Sequence, residues 1–92
     1  MRKIEQAMIN AIHNRKAWAG GNTTVQVLDD VNSAVYLHGH HIADYNSGNG
    51  FVMVNKDTLR RWPTMTTKSR LRALGANVST KAGVTYVDGF AI

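Results

Sequence analysis

Ser33-Ala-Val-Tyr-Leu-His-Gly-His-His-Ile-Ala-Asp-Tyr-Asn46 is the stretch that decides the fold, because two apolar runs within it meet at Gly39-His40. A glycine at the first of two loop positions predicts a type II′ turn, whose twist matches that of paired strands. This turn would pair His38 with His41, Leu37 with Ile42, Tyr36 with Ala43, and Ala34 with Tyr45. The stretch therefore predicts a β-hairpin around which the other elements can be placed.

The predicted hairpin has two unlike faces, because successive side chains of a strand point in opposite directions. Val35, Leu37 and Ile42 fall on one face, which is predicted to be core. The other face carries four polar or aromatic side chains, namely Tyr36, His38, His41 and Tyr45. We interpret this second face as a binding platform for a partner, with cross-strand packing or the lining of a second small core as alternatives. Asp44 is predicted to lie on the face opposite the histidines.

The rest of the chain predicts elements that cover and extend this hairpin. Residues 1–19 have apolar side chains at helical spacing, and Gly20-Gly21 is predicted to end that helix. Residues 23–28 and 51–54 are predicted strands on either side of the hairpin. The predicted fold is α+β in a single domain, 1–92: an N-terminal amphipathic helix packed on an antiparallel meander of about four strands, then a short basic helix through Leu74 and a C-terminal β-hairpin.

Composition limits the kind of partner. The chain has 92 residues, a net charge of +5 and no cysteine, and its pI is close to 10.0. A positive surplus favours nucleic acid, an acidic protein or a nucleoprotein, although simple solubility is an alternative explanation. Disulfides and thiolate metal sites are excluded, and no apolar run has the roughly 20 residues of a membrane span. A cytoplasmic protein with no membrane partner is expected.

A basic segment follows the predicted meander. Five of the 11 Lys and Arg residues lie within positions 60–72, namely Arg60, Arg61, Lys68, Arg70 and Arg72. Guanidinium groups, hydroxyls and the N–H groups of a helix N-terminus are typical phosphate ligands. Trp62 lies inside the segment and could stack on a base, or could belong to the core. The segment is predicted to contact a polyanion, with a solvated helix face as the alternative.

No catalytic or metal site is expected. His38, His40 and His41 are close in sequence, but a metal site needs further ligands that this stretch does not offer. No nucleophile elbow, phosphate loop or His-Glu-x-x-His pattern is present, and the six acids are scattered along the chain. We therefore expect a protein that is not an enzyme and that has no cofactor.

Three stretches carry a resemblance to a known group of proteins. They are Ala19-Gly-Gly-Asn-Thr-Thr-Val25, Val35-Tyr-Leu-His-Gly-His-His-Ile-Ala43 and Thr66-Thr-Lys-Ser-Arg-Leu-Arg-Ala-Leu74. They are similar to a class of short accessory proteins of tailed bacteriophages, in which Asn stands at the position of His40 and a Trp precedes the Thr-Thr-Lys-Ser-Arg run as Trp62 does here. The resemblance covers residues 1–74. It implies a phage product that works in the bacterial cytoplasm, and it assigns no activity.

Two main functional hypotheses follow. The first is a module that binds nucleic acid or a nucleoprotein, with the basic segment holding phosphates and Tyr36, Tyr45 or Trp62 stacking on bases. The second is a protein-binding inhibitor of a host defence or nucleic-acid-processing factor, anchored by the aromatic residues of the hairpin. A homodimer formed through an exposed sheet edge or through residues 90–92 is a third alternative.

Overall fold

The computed structural model describes residues 2–92, so the predicted first helical residue, Met1, lies outside the described range. Its helices are α1 (Lys3–His13), α2 (Lys56–Arg61) and α3 (Met65–Ala73). The first antiparallel sheet holds β1 (Trp18–Gly20), β2 (Thr23–Val27), β3 (Asn32–Leu37), β4 (His40–Asn46) and β5 (Phe51–Val54), and the second holds β6 (Val78–Lys81), β7 (Val84–Val87) and β8 (Phe90–Ala91). The α+β class, the N-terminal helix and the antiparallel pairing agree with the prediction. None of the helices in residues 2–92 is long and apolar enough to cross a membrane.

The first helix ends earlier than the predicted residue 19. The N–H of Lys16 donates to the Ala11 carbonyl oxygen at 3.0 Å, and the N–H of Arg15 donates to that of Ile12 at 3.2 Å. These two bonds form a Schellman motif, with Arg15 in the left-handed conformation at φ +57° where glycine is more usual. The helix therefore stops at His13, before the Gly20-Gly21 pair that was predicted to end it.

Arg15 is held in this conformation by its own side chain. Its guanidinium donates to Ser47 Oγ at 2.6 Å and to the carbonyl oxygen of Asp29. These bonds connect the helix end to two loops of the first sheet. Because the helix has ended, residues 18–20 are free to form β1, which pairs with β2. The first sheet therefore has five strands, in the order β1-β2-β3-β4-β5, rather than about four.

The central hairpin is present, but its turn lies one residue earlier than predicted. Leu37 pairs with His40, so the loop residues are His38 and Gly39, with φ of +52° and +78°. Positive φ at both loop positions is the mark of a type I′ turn rather than a type II′ turn. The predicted pairing of Leu37 with Ile42 is therefore wrong, because glycine occupies the second loop position.

Despite the shifted turn, Ile42 is buried as predicted, because β4 contains a β-bulge at this residue. Tyr36 pairs with His41 and Val35 pairs with Ala43, which leaves Ile42 as an extra residue. An extra residue changes which face the following side chains occupy. Ile42 and Ala43 are consequently both buried, at 2% and 0% exposure. The predicted apolar face is confirmed, since Val35 and Leu37 are buried as well.

The core lies between the inner face of the first sheet, α1, α3 and the second sheet. It contains residues from each of these layers and one from α2, namely Met8, Ile12, Val25, Val35, Leu37, Ile42, Ala43, Leu59, Leu71, Leu74, Val78 and Val87. The second sheet has the order β6-β7-β8, so the predicted C-terminal hairpin is extended by a short third strand. Val78 and Val87 bring this sheet into the same core as the hairpin.

Ala82 is the position in the turns where a substitution is expected to add stability. It forms a two-residue turn with Gly83, and its φ of +50° is in the left-handed region that disfavours alanine. Ala82→Asn gives the Asn-Gly pair that type I′ turns prefer. We expect it to raise the free energy of unfolding by about 0.5–1 kcal/mol, and the melting temperature by about 2–8 °C. Ala17→Asn, at an exposed site without positive φ, should leave the melting temperature unchanged in the same calorimetric scan, and an equal rise in both would contradict the turn argument.

Candidate nucleic-acid interface

The predicted basic segment divides into buried and exposed side chains. Arg70 is only 4% exposed. Its Nη1 donates to Glu5 Oε2 at 2.8 Å and its Nε donates to Thr23 Oγ1 at 3.0 Å. The prediction that Arg70 faces a polyanion is wrong, because this guanidinium joins α3 to α1 and β2 through an acid and a hydroxyl of its own chain.

Glu5 is the buried acid at the centre of this connection. Ser69 Oγ donates to Glu5 Oε2 at 2.6 Å, and the N–H of Arg2 donates to Glu5 Oε1 at 3.4 Å. Burial raises the pKa of Glu5, while the hydrogen bonds from Ser69 and Arg70 lower it by more, so the pKa lies below its ordinary value. Glu5 is therefore ionised at neutral pH and neutralises Arg70.

Lys68 and Arg72 hold α3 against the second sheet. Lys68 is 8% exposed, and its Nζ donates to Thr80 Oγ1 at 2.5 Å. Arg72 Nε donates to the Val78 carbonyl oxygen at 2.7 Å, although the side chain remains exposed. Lys68 is thus not the outward cation that was predicted, since it is buried under β6. Arg72 keeps surface available for an anion.

Arg60 and Arg61 lie on the last turn of α2 and are exposed. Arg60 Nη1 forms an ion pair with Asp57 Oδ1 at 2.6 Å, and both side chains are well solvated. Such a surface pair is weak and can exchange partners. The α2 cations are therefore the part of the predicted segment that stays accessible, together with Arg72 on another helix.

The predicted aromatic platform is only half present. Tyr36 and His41 are paired residues on the outer face, with ring centroids 5.2 Å apart. His41 Nε2 lies 2.8 Å from Asp44 Oδ1. The prediction that Asp44 lies on the opposite face is wrong, because the bulge at Ile42 turns Asp44 to the same side as His41. Within residues 2–92, no group of three His, Asp or Glu side chains is placed to hold a metal ion.

Tyr45 and His38 do not join this platform. The same bulge turns Tyr45 inward, where it is half-buried against the core and meets the His13 ring edge to face at 5.8 Å. His38 lies in the type I′ turn and is exposed. Tyr45 is therefore a packing residue, and the outer platform consists of Tyr36 and His41 beside Asp44.

A different aromatic pair forms at the end of the hairpin. The His40 and Trp62 rings stack with centroids 4.7 Å apart and planes 24° from parallel. Trp62 is 45% exposed, so one part of the indole remains open to solvent. The backbone N–H of Trp62 donates to the Thr58 carbonyl oxygen at 2.9 Å and fixes the backbone at the end of α2. Trp62 is therefore a surface aromatic supported by a histidine, rather than a core residue.

This stacked pair borders a cavity of about 230 Å³, which we call the hairpin-tip pocket. The pocket is lined by Leu37, His38, His40, Ile42, Thr58, Trp62, Thr64, Thr66 and Thr67. Its floor is apolar and its rim carries hydroxyl and imidazole groups. The Thr64 hydroxyl accepts the Thr67 N–H at 3.1 Å and caps α3 at this rim. The arrangement can accept a planar group on the indole and imidazole, with hydrogen bonds at its edge.

The positive surplus of the chain is found at the surface. Each of two ion pairs, the buried Glu5–Arg70 and the exposed Asp57–Arg60, neutralises one positive and one negative charge. The net charge therefore stays at +5. The exposed cations are Arg2, Lys3, Lys16, Lys56, Arg60, Arg61, Arg72 and Lys81. Arg61, which adjoins Trp62 in the chain, is one of these exposed cations.

Comparison with protein families decides the origin of the chain. A family model described as Kyanoviridae Gp96 protein matches residues 1–91. The chain belongs to this phage family. The family match extends beyond residues 1–74, which carry the sequence resemblance, and it includes the second sheet. Searches of the curated proteins and of the solved structures found no match to this Gp96 family member.

Proposed function

We propose that this Kyanoviridae Gp96 family member binds single-stranded nucleic acid at the hairpin-tip pocket, in the cytoplasm of the bacterial host and without catalysing a reaction. The observation that carries the proposal is the exposed Trp62 indole, which is stacked on His40 at the edge of an open cavity. Aromatic side chains at such positions stack on unpaired bases, and a stacked base contributes about 1–3 kcal/mol. A duplex keeps its bases stacked inside, so an unpaired strand fits this pocket better.

Charge supports the same partner. A chain of net charge +5 attracts a polyanion. The exposed Arg61, next to Trp62 in the sequence, is the cation that we propose binds the phosphate of a base in the pocket. The hydroxyls of Thr58 and Thr66, which also line the pocket, are further donors for phosphate or base edges. This proposal keeps Arg60, Arg61 and Arg72 as phosphate ligands and omits Lys68 and Arg70, which are engaged inside the protein.

Trp62→Ala is expected to weaken binding of single-stranded oligonucleotides by about 5- to 150-fold, which corresponds to the loss of one stacked base. Fluorescence anisotropy of labelled DNA and RNA strands at low and moderate salt measures the effect. Arg61→Ala should lower the slope of log affinity against log salt by about 0.7. Phe90→Ala is the matched control, because Phe90 is 76% exposed but lies on the second sheet. Equal affinities for Trp62→Ala and the parent protein would reject the proposal.

A protein partner is favoured by a separate observation at another surface. Phe51 and Met53 are 58% and 60% exposed on the outermost strand of the first sheet. Such an apolar strand is a recognised site for protein contacts. Phe51 and Met53 do not line the hairpin-tip pocket, so variants at these two positions can test this surface independently.

A further inference from the structure

β5 is the last strand of the five-stranded sheet, and it pairs with β4 on one side only. The N–H of Asn55 donates to the Ile42 carbonyl oxygen at 2.9 Å. Backbone groups of an antiparallel strand alternate in direction, so those of Met53 point to β4 in the same way. The N–H and C=O groups of Val52 and Val54 therefore point away from the sheet and can bond an additional strand.

This edge lacks the features that normally prevent strand addition. The sequence of β5 is Phe-Val-Met-Val, without charge or proline. Natural edge strands are usually protected by lysine, proline, a bulge or a covering element. Here the register of β5 with β4 is regular, and Phe51 and Met53 remain more than half exposed. The edge is suited to receive another strand.

A groove runs along the same edge. A cavity of about 560 Å³ is lined by all four residues of β5, by residues 55–57 and Arg60 of the following segment, and by Val87 and Asp88. Arg60 and Asp57 form an ion pair with each other. The first cavity is followed by a second cavity of about 230 Å³ that is bordered by residues 75–77. A strand rises about 3.3 Å per residue, so the edge spans roughly 13 Å and matches a segment of four or five residues. The groove therefore has the length to hold one extended peptide segment.

A second copy of this chain is a poorer fit. A stable interface buries about 800 Å² on each partner, which is about 15% of the 5428 Å² surface of this protein. Four edge residues are too few to supply that area. Two copies of net charge +5 also repel each other. The same positive charge attracts a partner that is net acidic.

We propose that β5 binds an extended, net acidic segment of a partner protein, which adds to the sheet as a sixth strand. The segment bonds the outward backbone groups of Val52 and Val54 and places apolar side chains at alternate positions. Those on the inner side lie against Val87, and those on the outer side lie beside Phe51 and Met53. Lys56, exposed at one end of the groove, meets a carboxylate of the segment.

Selection from a library of short random peptides tests this proposal on the full chain. Enriched peptides are expected to alternate apolar residues, to carry acidic residues, and to protect the Val52 and Val54 amides from hydrogen–deuterium exchange. Met53→Lys should lower the affinity for the best peptide by at least about tenfold, because an edge lysine opposes strand addition. Phe90→Lys, which adds the same charge at an exposed apolar site on the second sheet, should not change its affinity.

Val52→Pro provides a second variant, since it removes an outward N–H and leaves the ladder to β4 intact. This variant should also fail to bind the peptide, while its circular dichroism spectrum shows that the fold is retained. Oligonucleotide affinity should be the same in Met53→Lys and Phe90→Lys, which carry the same added charge, and this separates the β5 surface from the hairpin-tip pocket. The proposal is overturned by a library that enriches no peptide, by protection of other amides, or by light scattering that shows a dimer abolished by Met53→Lys.

Discussion

Glu5→Gln is expected to lower the free energy of unfolding by about 3–5 kcal/mol. The change removes the carboxylate that neutralises Arg70, and both side chains are about 95% buried. The remaining guanidinium would keep its bond to Thr23 but would have no counter-charge in a place where water cannot solvate it. Because small domains have only about 5–15 kcal/mol of stability in total, this single change should bring the protein close to unfolding. Urea denaturation followed by circular dichroism measures it.

The same chain contains a matched control. Asp57 and Arg60 form an ion pair at 2.6 Å, shorter than the 2.8 Å of the buried pair, but at the surface. Asp57→Asn should therefore cost no more than about 1 kcal/mol. The double variant Glu5→Leu/Arg70→Met should recover most of the lost stability, because no charge stays buried alone. Equal costs for Glu5→Gln and Asp57→Asn would show that burial of the first pair does not matter.

The dependence on pH has a defined sign. The pKa of Glu5 is lower in the folded protein than in the unfolded chain, so the unfolded chain binds its proton first as the pH falls. The stabilising contribution of Glu5 is complete above its unfolded pKa and is lost as the pH falls through its folded pKa. In Glu5→Gln this contribution is absent, and the stability curve should be flatter across that acidic range. If the free energy of unfolding fell in parallel with pH in both proteins, carboxylates other than Glu5 would control its acid dependence.

Much of the fold could be predicted from local patterns. The alternation of Val35 and Leu37 indicated the buried face of the hairpin, and short connections indicated a meander. The errors occurred where one residue changed the geometry. Arg15 ends α1 in a conformation for which glycine was expected, and it is stabilised by Ser47, 32 residues away. The bulge at Ile42 reversed the predicted positions of Asp44 and Tyr45, and no sequence pattern of β4 announces it.

The candidate site was predicted less well, for a related reason. A cluster of cations in the sequence does not show which of them have partners inside the fold. Arg70 is paired with an acid 65 residues away, and Lys68 with a hydroxyl on β6. The sequence predicts Trp62 as a contact residue but does not predict its stacking partner, His40. No sequence signal joins the two, because they meet only when the hairpin end reaches the α2–α3 connection.

Leu71→Ala is expected to lower the free energy of unfolding by about 2–5 kcal/mol. Leu71 is fully buried on α3 and belongs to the core that joins the first sheet to Val78 and Val87 of the second. Removing it leaves a cavity where α3 meets both sheets, and bonds from Arg70 and Lys68 restrain the helix from closing that space. The loss should therefore fall in the upper half of the range.

The matched control for Leu71→Ala lies on the same helix. Met65 is 83% exposed, so Met65→Ala should change the free energy of unfolding by no more than about 0.5 kcal/mol. In Leu71→Ala, amides of β6 and β7 should lose protection against hydrogen exchange together with those of β3, because Leu71 belongs to the core that the two sheets share. If the amides of β6 and β7 exchanged faster while those of β3 kept their protection, the two sheets would be folding as separate units, and the shared core around Leu71 would not be what holds them together.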